Sequence, residues 1–130
     1  MQTNTVTGSI EVSAARDKVL SVLADGARLP AWAPGFADTV TGDPAAGWQA
    51  TKDDRTFALR IVVDDQAGTV GYLREIAPGR FGGARLHVAP APTGGSVVTM
   101  TMPVPPDLDA ADGAAVLRAE IARLGRLVSA

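Results

Sequence analysis

The sequence predicts an α+β domain in which a meander of antiparallel strands is closed by one long C-terminal helix. Three observations carry this. Residues 109–128 place Leu117, Ile121, Leu124 and Val128 at helical spacing on one side and Arg118, Arg123 and Arg126 on the other. Between residues 36 and 104 stand six stretches of strand length, separated by short turns containing Gly or Pro. A strand-like segment and two short helical ones come first, so helices and strands are segregated along the chain.

Taken in order, Val6, Ile10 and Val12 alternate with Thr5, Thr7, Ser9 and Glu11, the period of a half-buried strand. Ser13 stands as N-cap to a helix over residues 14–23, whose apolar side is Val19, Leu20, Val22 and Leu23; Asp25-Gly26 ends it. The next segment, from Leu29 to Gly35, holds at most a turn or two of helix, because Pro34 disfavours helical geometry at Ala33. Strands are expected at 36–41, 47–53, 56–64, 69–77, 81–89 and 96–104. The turns Asp65-Gln66-Ala67-Gly68, Pro78-Gly79 and Pro92-Thr93-Gly94-Gly95 make consecutive strands pair as hairpins. Asp109, with Asp112 three residues on, caps the last helix, and the arginines fall in its later turns, where the helix dipole favours them.

Composition narrows the function classes. A chain of 130 residues fits a single domain over 1–130 with a real core. A net charge of −2 with scattered basic residues leaves no footprint for nucleic acid. No apolar run is long enough to span a membrane. With no cysteine and no apolar leader after Met1, the sequence reads as cytoplasmic, with neither disulfides nor thiolate metal sites. One histidine makes no usual zinc site, and Asp64-Asp65-Gln66-Ala67-Gly68 lacks the alternating acidic ligands of a calcium loop, so no metal is expected. The glycine pairs lie in a strand and a hairpin rather than between strand and helix, which excludes a phosphate cradle; no cofactor is expected.

Several features together resemble the START-like helix-grip superfamily (SRPBCC), in particular its small bacterial polyketide cyclase/dehydrase-like members. They are the opening Ile10-Glu11-Val12-Ser13-Ala14, then Leu23-Ala24-Asp25 followed by Leu29-Pro30-Ala31-Trp32, then Gly68-Thr69-Val70-Gly71-Tyr72, and finally Gly95-Ser96-Val97-Val98 ahead of the last helix. The order of these features, spanning nearly the whole chain, carries the likeness. Ala15 departs from the proline common at the first helical turn, and Val19-Leu20 from a valine followed by an aromatic. The resemblance implies a curved antiparallel sheet of about seven strands wrapped around the last helix, with a cavity between them for an apolar or amphipathic ligand. The fold alone implies no reaction.

The candidate site residues follow from the strand faces. Phe57 and Leu59 alternate with Ile61 and Val63 on one inner face, Leu86 lies on the next with Ala84 and Val88, and Met100 and Met102 lie on the last with Val98 and Val104. These stripes serve a core as readily as a ligand wall, and methionine is adaptable enough for either. Leu117 and Ile121 face them from the helix, only partly packed if a ligand fills the gap. Trp32, placed by the resemblance at the cavity rim, and Trp48 are amphipathic aromatics suited to ligand contact or to anchoring.

Tyr72 and Arg74 depend on register. If Val63 pairs with Val70, then Val70, Tyr72, Arg74 and Ile76 share the inner face, and Arg74 points into the cavity; a left-handed bulge at Gly68 would shift the register and turn Arg74 outward. The inward set is the more apolar. Directing Ala84, Leu86 and Val88 inward, and Arg85 and His87 outward, then requires a bulge, for which Gly82-Gly83 is the natural place.

Ligand binding in the cavity leads these expectations. A polyketide cyclase/dehydratase-like enzyme, with Arg74 and Tyr72 stabilising an enolate or donating a proton, is the second. A protein-interaction module is the third, and a homodimer is compatible with all three.

Overall fold

The computed structural model describes residues 5–43, 45–92, 94–104 and 109–129, and at 75–77 and 80–81 the backbone path alone. Strand β1 (Thr5–Val12) leads into helix α1 (Arg16–Ala24), a 3-10 turn (Gly26–Arg28) and the short helix α2 (Leu29–Trp32). Six strands follow, β2 (Thr39–Asp43), β3 (Gly47–Lys52), β4 (Arg55–Asp64), β5 (Thr69–Ala77), β6 (Arg80–Pro90) and β7 (Ser96–Pro103), and then helix α3 (Ala110–Ser129). All seven strands form one antiparallel sheet in the order β1-β7-β6-β5-β4-β3-β2. The α+β helix-grip architecture expected from the sequence is therefore present, with three helices and the long one last.

The helix starts differ in one respect from the sequence reading. Helix α1 begins at Arg16, and its N-cap residue is Ala15, with no side-chain cap. Ser13 does not cap it because the chain is still turning off β1 there: the carbonyl of Ala14 accepts a hydrogen bond from the buried hydroxyl of Ser96 on β7, 2.8 Å away. Asp25 does end α1, and its carboxylate accepts from the Ala27 amide to start the 3-10 turn. At α3 the Asp109 carboxylate accepts from the Asp112 amide at 2.8 Å, as the cap spacing predicts. Strand β2 starts later than expected, since the amides of Phe36 and Ala37 both bond back to Ala33 and pairing begins only where the Asp38 amide meets Thr51.

Two hairpins decide which residues face inward. Between β4 and β5 the loop is residues 65–68, closed by the pair Asp64 and Thr69. Gly68 is left-handed (φ 72°) and its amide donates to Asp64. The expected link between a left-handed Gly68 and a shifted register does not hold: the extra loop residue absorbs the turn, and Val63 stays opposite Val70. Between β5 and β6 the irregularity falls at Glu75 and Ala77, not at Gly82-Gly83, which pair regularly with Arg74 and Leu73. Gly83 serves another purpose, for a β-carbon there would lie 1.9 Å from the Tyr72 carbonyl oxygen. The bulge puts Tyr72 opposite Ala84, so Leu86 and Val88 point inward and Arg85 and His87 outward. The side chain of Ile76 lies outside the described residues.

Helix α3 packs on β1, on β7 and on α2. Gly8 on β1 makes room for it: a β-carbon there would stand 2.6 Å from Leu117. Gly125 meets Ile10 and Gly113 meets Val104, each with room for a β-carbon only at 3.0 Å. Leu117 and Ile121 are 1% and 4% exposed. The partial packing expected of these two residues is thus corrected, because the glycines let helix and sheet approach until both side chains are enclosed; burial of that kind stabilises by roughly 1.5–3 kcal/mol for each large aliphatic side chain.

Candidate functional site

The concave face is read across the strands. Met100, Leu86, Val70 and Val63 form one row, and beside it stand Met102, Ala84, Tyr72 and Ile61. The next holds Gly82, Arg74, Leu59 and Trp48, with Phe57 opposite Ala50 beyond them. Of the residues expected to line a site, Leu59, Leu86, Met100, Leu117, Ile121, Trp32, Trp48 and Tyr72 are buried in the core, whereas Phe57 and Met102 are half-buried and Arg74 is exposed.

Two aromatic pairs organise this region. Trp32 on α2 is 1% exposed and meets Tyr72 edge-on, ring centroids 5.7 Å apart with planes at 62°. Phe36, just after α2, meets Phe57 in the same way at 5.7 Å and 88°. Edge-to-face contacts of this kind add about 0.5–1.5 kcal/mol to the apolar burial. Trp48 has a different position, against Gly26 and Ile61, where it pins the 3-10 turn to the sheet. Phe36 was absent from the sequence-based set, because strand alternation was extended over a residue that lies in the turn leaving α2.

Arg74 has the inward register, opposite Leu59 and Gly82, yet its guanidinium is not buried. It lies over the Phe57 ring, 5.0 Å from the centroid, at the rim of the concave face. The ring quadrupole stabilises the cation there, and no internal acid is needed to neutralise it. Tyr72 is engaged elsewhere. Its hydroxyl donates to the carbonyl of Leu23, and burial, reinforced by the nearby negative charge of Asp25, raises its pKa far above that of a free phenol. A phenol so held is a structural tie and a poor proton donor at neutral pH.

Among the described residues, two polar side chains in the interior have no hydrogen-bond partner. Among the described residues the indole N–H of Trp32 is sealed from solvent and accepted by nothing. Glu120 on α3 is 7% exposed and makes no hydrogen bond or ion pair with the described residues. Burial pushes its pKa up to about 7, with Arg123 pulling the other way. The sequence held a signal for it: Glu120 lies three residues after Leu117 and four before Leu124, within the apolar stripe. Ser96, the other buried polar residue, lies on the inner side of β7.

Phe36, Phe57, Ala84 and Met102 leave a half-buried apolar strip at one end of the concave face, with Arg74 at its rim. Two open hollows stand out, the second sharing Ala84 and Met102 with the strip. One of about 450 Å³ is bounded by Asp17, Leu20, Ser21 and Ala24 of α1 and by Val63 and Asp65. The other, about 330 Å³, sits where β1 begins and β7 ends, among Leu73, Arg85, Thr101, Ala84 and Met102. His87 is exposed on the convex face, between Thr69 and Thr99. Among the described residues no three His, Cys, Asp or Glu side chains cluster as metal ligands, and no helix is long and apolar enough to cross a membrane.

Solved structures with this architecture include several that are distant in sequence. A protein from Bacillus thuringiensis superposes with a TM-score of 0.68 at 15% identity, over 96% of this chain and 98% of its own. The di-domain ARO/CYC StfQ from the steffimycin biosynthetic pathway superposes with a TM-score of 0.65 at 18% identity, over 95% of this chain and 45% of StfQ. A START superfamily protein from Mycobacterium smegmatis gives 0.60 at 10% identity, over 96% of this chain and 94% of its own. These likenesses establish the fold. Among curated proteins, none matches the sequence. Residues 3–129 match the family described as polyketide cyclase / dehydrase and lipid transport, and with the helix-grip fold in place the chain belongs to that family.

Proposed function

We propose that the protein binds a small hydrophobic or amphipathic molecule against the concave face, in the space that α2 and the first half of α3 share with the sheet. The observation that carries this is the half-buried strip of Phe36, Phe57, Ala84 and Met102, packed against the buried core. A strip of aromatic, methionine and alanine side chains with one cation at its rim has the make-up of a ligand site, mostly apolar with few polar groups to fix orientation. The family's description, which couples cyclisation with lipid transport, supports the same ligand class.

The test is native mass spectrometry and tryptophan fluorescence against a panel of medium-chain lipids and aromatic polyketides. A one-to-one complex that is weakened by Phe57→Ala and Met102→Ala supports the reading. Binding that ignores both substitutions, or no binding across the panel, sinks it.

Catalysis of the cyclase/dehydratase type is a second reading, favoured by the StfQ domain likeness. The engaged hydroxyl of Tyr72 weakens it as first conceived, and Arg74 becomes its main electrostatic group. Turnover of a poly-β-ketone substrate that Arg74→Ala abolishes would establish it.

A further inference from the structure

We propose that Trp32 and Glu120 form a polar anchor for an uncharged oxygen function, a hydroxyl or a carbonyl, on an otherwise apolar ligand. This rests on the ligand-binding reading above and names the head group that reading leaves open. The starting point is the indole N–H of Trp32, which is sealed and has no acceptor among the described residues. Buried donors almost always have partners, and leaving one unpaired is costly, so a site that supplies an acceptor only when occupied accounts for it.

The indole is well placed for this. Trp32 packs edge-on against Tyr72, and Arg74 is the next inward residue along β5, with Phe57 under its guanidinium and Phe36 beside that ring. Trp32 therefore stands one step behind the half-buried strip. Its sequence neighbour Ala33 accepts the backbone bonds of Phe36 and Ala37, so α2 and the strip are a single connected unit.

Glu120 supplies the second group. Leu117 and Ile121 both face Gly8 of β1, and Glu120 stands roughly 60° from Leu117 on the side away from Ile121, given 3.6 residues per turn. That flank of α3 is turned from β1, and α2, which carries Trp32, packs on α3 more extensively than β7 or α1 does. Among the described residues the carboxyl makes no hydrogen bond or ion pair, Arg123 acts on it through its charge alone, and 7% of the residue stays exposed. A carboxyl in its protonated form donates as well as accepts, so with the indole donor it can satisfy both the lone pairs and the hydrogen of a ligand hydroxyl, or both lone pairs of a carbonyl.

The same geometry disfavours a ligand carboxylate. A second acid beside Glu120 adds a like charge, and among the described residues only Arg123, on Glu120's own helix and already acting on Glu120, is near to offset it, since Arg74 is at the exposed rim over Phe57. Apolar molecules ending in a ketone or an alcohol are selected over fatty acids of the same length.

The experiment measures dissociation constants at pH 6 for decan-2-one, decan-1-ol, decanoate and naphthalene, the last as an apolar reference without oxygen. The full chain is used as wild type and as Trp32→Phe, Glu120→Leu and Glu120→Gln, each checked by circular dichroism and thermal melting. Wild type binds the ketone and the alcohol at least about tenfold more tightly than decanoate. Trp32→Phe, which keeps a ring and loses the donor, weakens the ketone roughly 3–10-fold, the range of one hydrogen bond, and leaves naphthalene unchanged. Glu120→Leu acts likewise, and Glu120→Gln restores most of the loss. Decanoate binding as tightly as the ketone, or variants that weaken ketone and naphthalene alike, would overturn the anchor while leaving the ligand-binding reading standing. Absence of binding by all four probes would overturn both.

Discussion

The hydroxyl of Tyr72, at the centre of the sheet, donates to the main-chain carbonyl of Leu23 near the end of α1. The bond ties the layer that carries Trp32 to the strand that carries Arg74. Tyr72→Phe leaves the Leu23 carbonyl unsatisfied in a buried place and should lower stability by about 1–3 kcal/mol, read from urea denaturation. Because the chain contains a single tyrosine, its ultraviolet titration is unambiguous. The raised pKa means that the phenol stays protonated in the fold, and stability falls as pH rises above the unfolded value of about 10. Ionisation should appear only as the protein unfolds; a reversible phenolate signal near pH 10 in the folded state would contradict the buried bond.

Glu120 gives the protein a second pH response of the same sign in a milder range. Its folded pKa of about 7 lies above the unfolded value of 4.5, so the folded state holds the extra proton and stability declines as pH rises from about 4.5 through 7. The expected loss between pH 5 and pH 8 is ~1–3 kcal/mol, allowing for screening where the carboxyl meets solvent. Glu120→Gln should remove that slope and be the more stable protein at pH 8, as measured by denaturant midpoints at both pH values. Asp38 acts in a separate window: the Asp53 amide and then the Lys52 ammonium lower its pKa, so its contribution is lost only as pH falls below about 3.8.

Arg74 can be removed without unfolding the chain. Its exposed guanidinium touches the Phe57 ring at 5.0 Å, a contact worth about 0.5–1 kcal/mol at such a site. Arg74→Ala should therefore shift the melting temperature by only a few degrees, and any larger fall in ligand affinity or turnover is attributable to the site. A collapse of the fold in this variant would mean that the arginine has a structural role that its exposure does not show.

Gly26 is a more sensitive position. A β-carbon there would lie 2.8 Å from the Trp48 ring and 2.9 Å from Ile61, so one of them must shift. Gly26→Ala should cost about 1–3 kcal/mol through overpacking, with a blue- or red-shifted tryptophan emission as Trp48 is displaced. An unchanged spectrum and midpoint would show that the 3-10 turn yields instead.

What the sequence disclosed and what it withheld divide along a physical line. Periodic burial was legible: the apolar set Val70 and Tyr72 fixed the inward register of β5, and the long stripe from Leu117 to Val128 identified α3. Local backbone chemistry was legible in part, as at Asp109, but Ser13 looked like a cap and is not one, since α1 starts only at Arg16 and the preceding Ala14 carbonyl is held by Ser96, from a strand more than eighty residues away. Glu120 was absent from the sequence-based set, because burial of a charged residue depends on what packs over it, which helical spacing alone does not disclose. The site suffered most from this. Its aromatic members were recognisable as residues, yet which of them end in the core and which at its half-buried margin is decided by how far α2 and α3 reach across the sheet.

The irregularity at Glu75 and Ala77 also works as a parity setting. Along β6 every side chain has one of two addresses, and a single unmatched residue in the opposing strand assigns them all. With it, His87 is sent to the convex surface and Leu86 to the interior. The interior thereby loses the residue type most suited to proton exchange near neutrality, and that capacity falls to the carboxyl of Glu120. Deleting one residue at the bulge would exchange the two sets, placing a guanidinium and an imidazole where the core now has Leu86 and Val88. The chemical character of this concave face is thus governed by the backbone register at the end of β5.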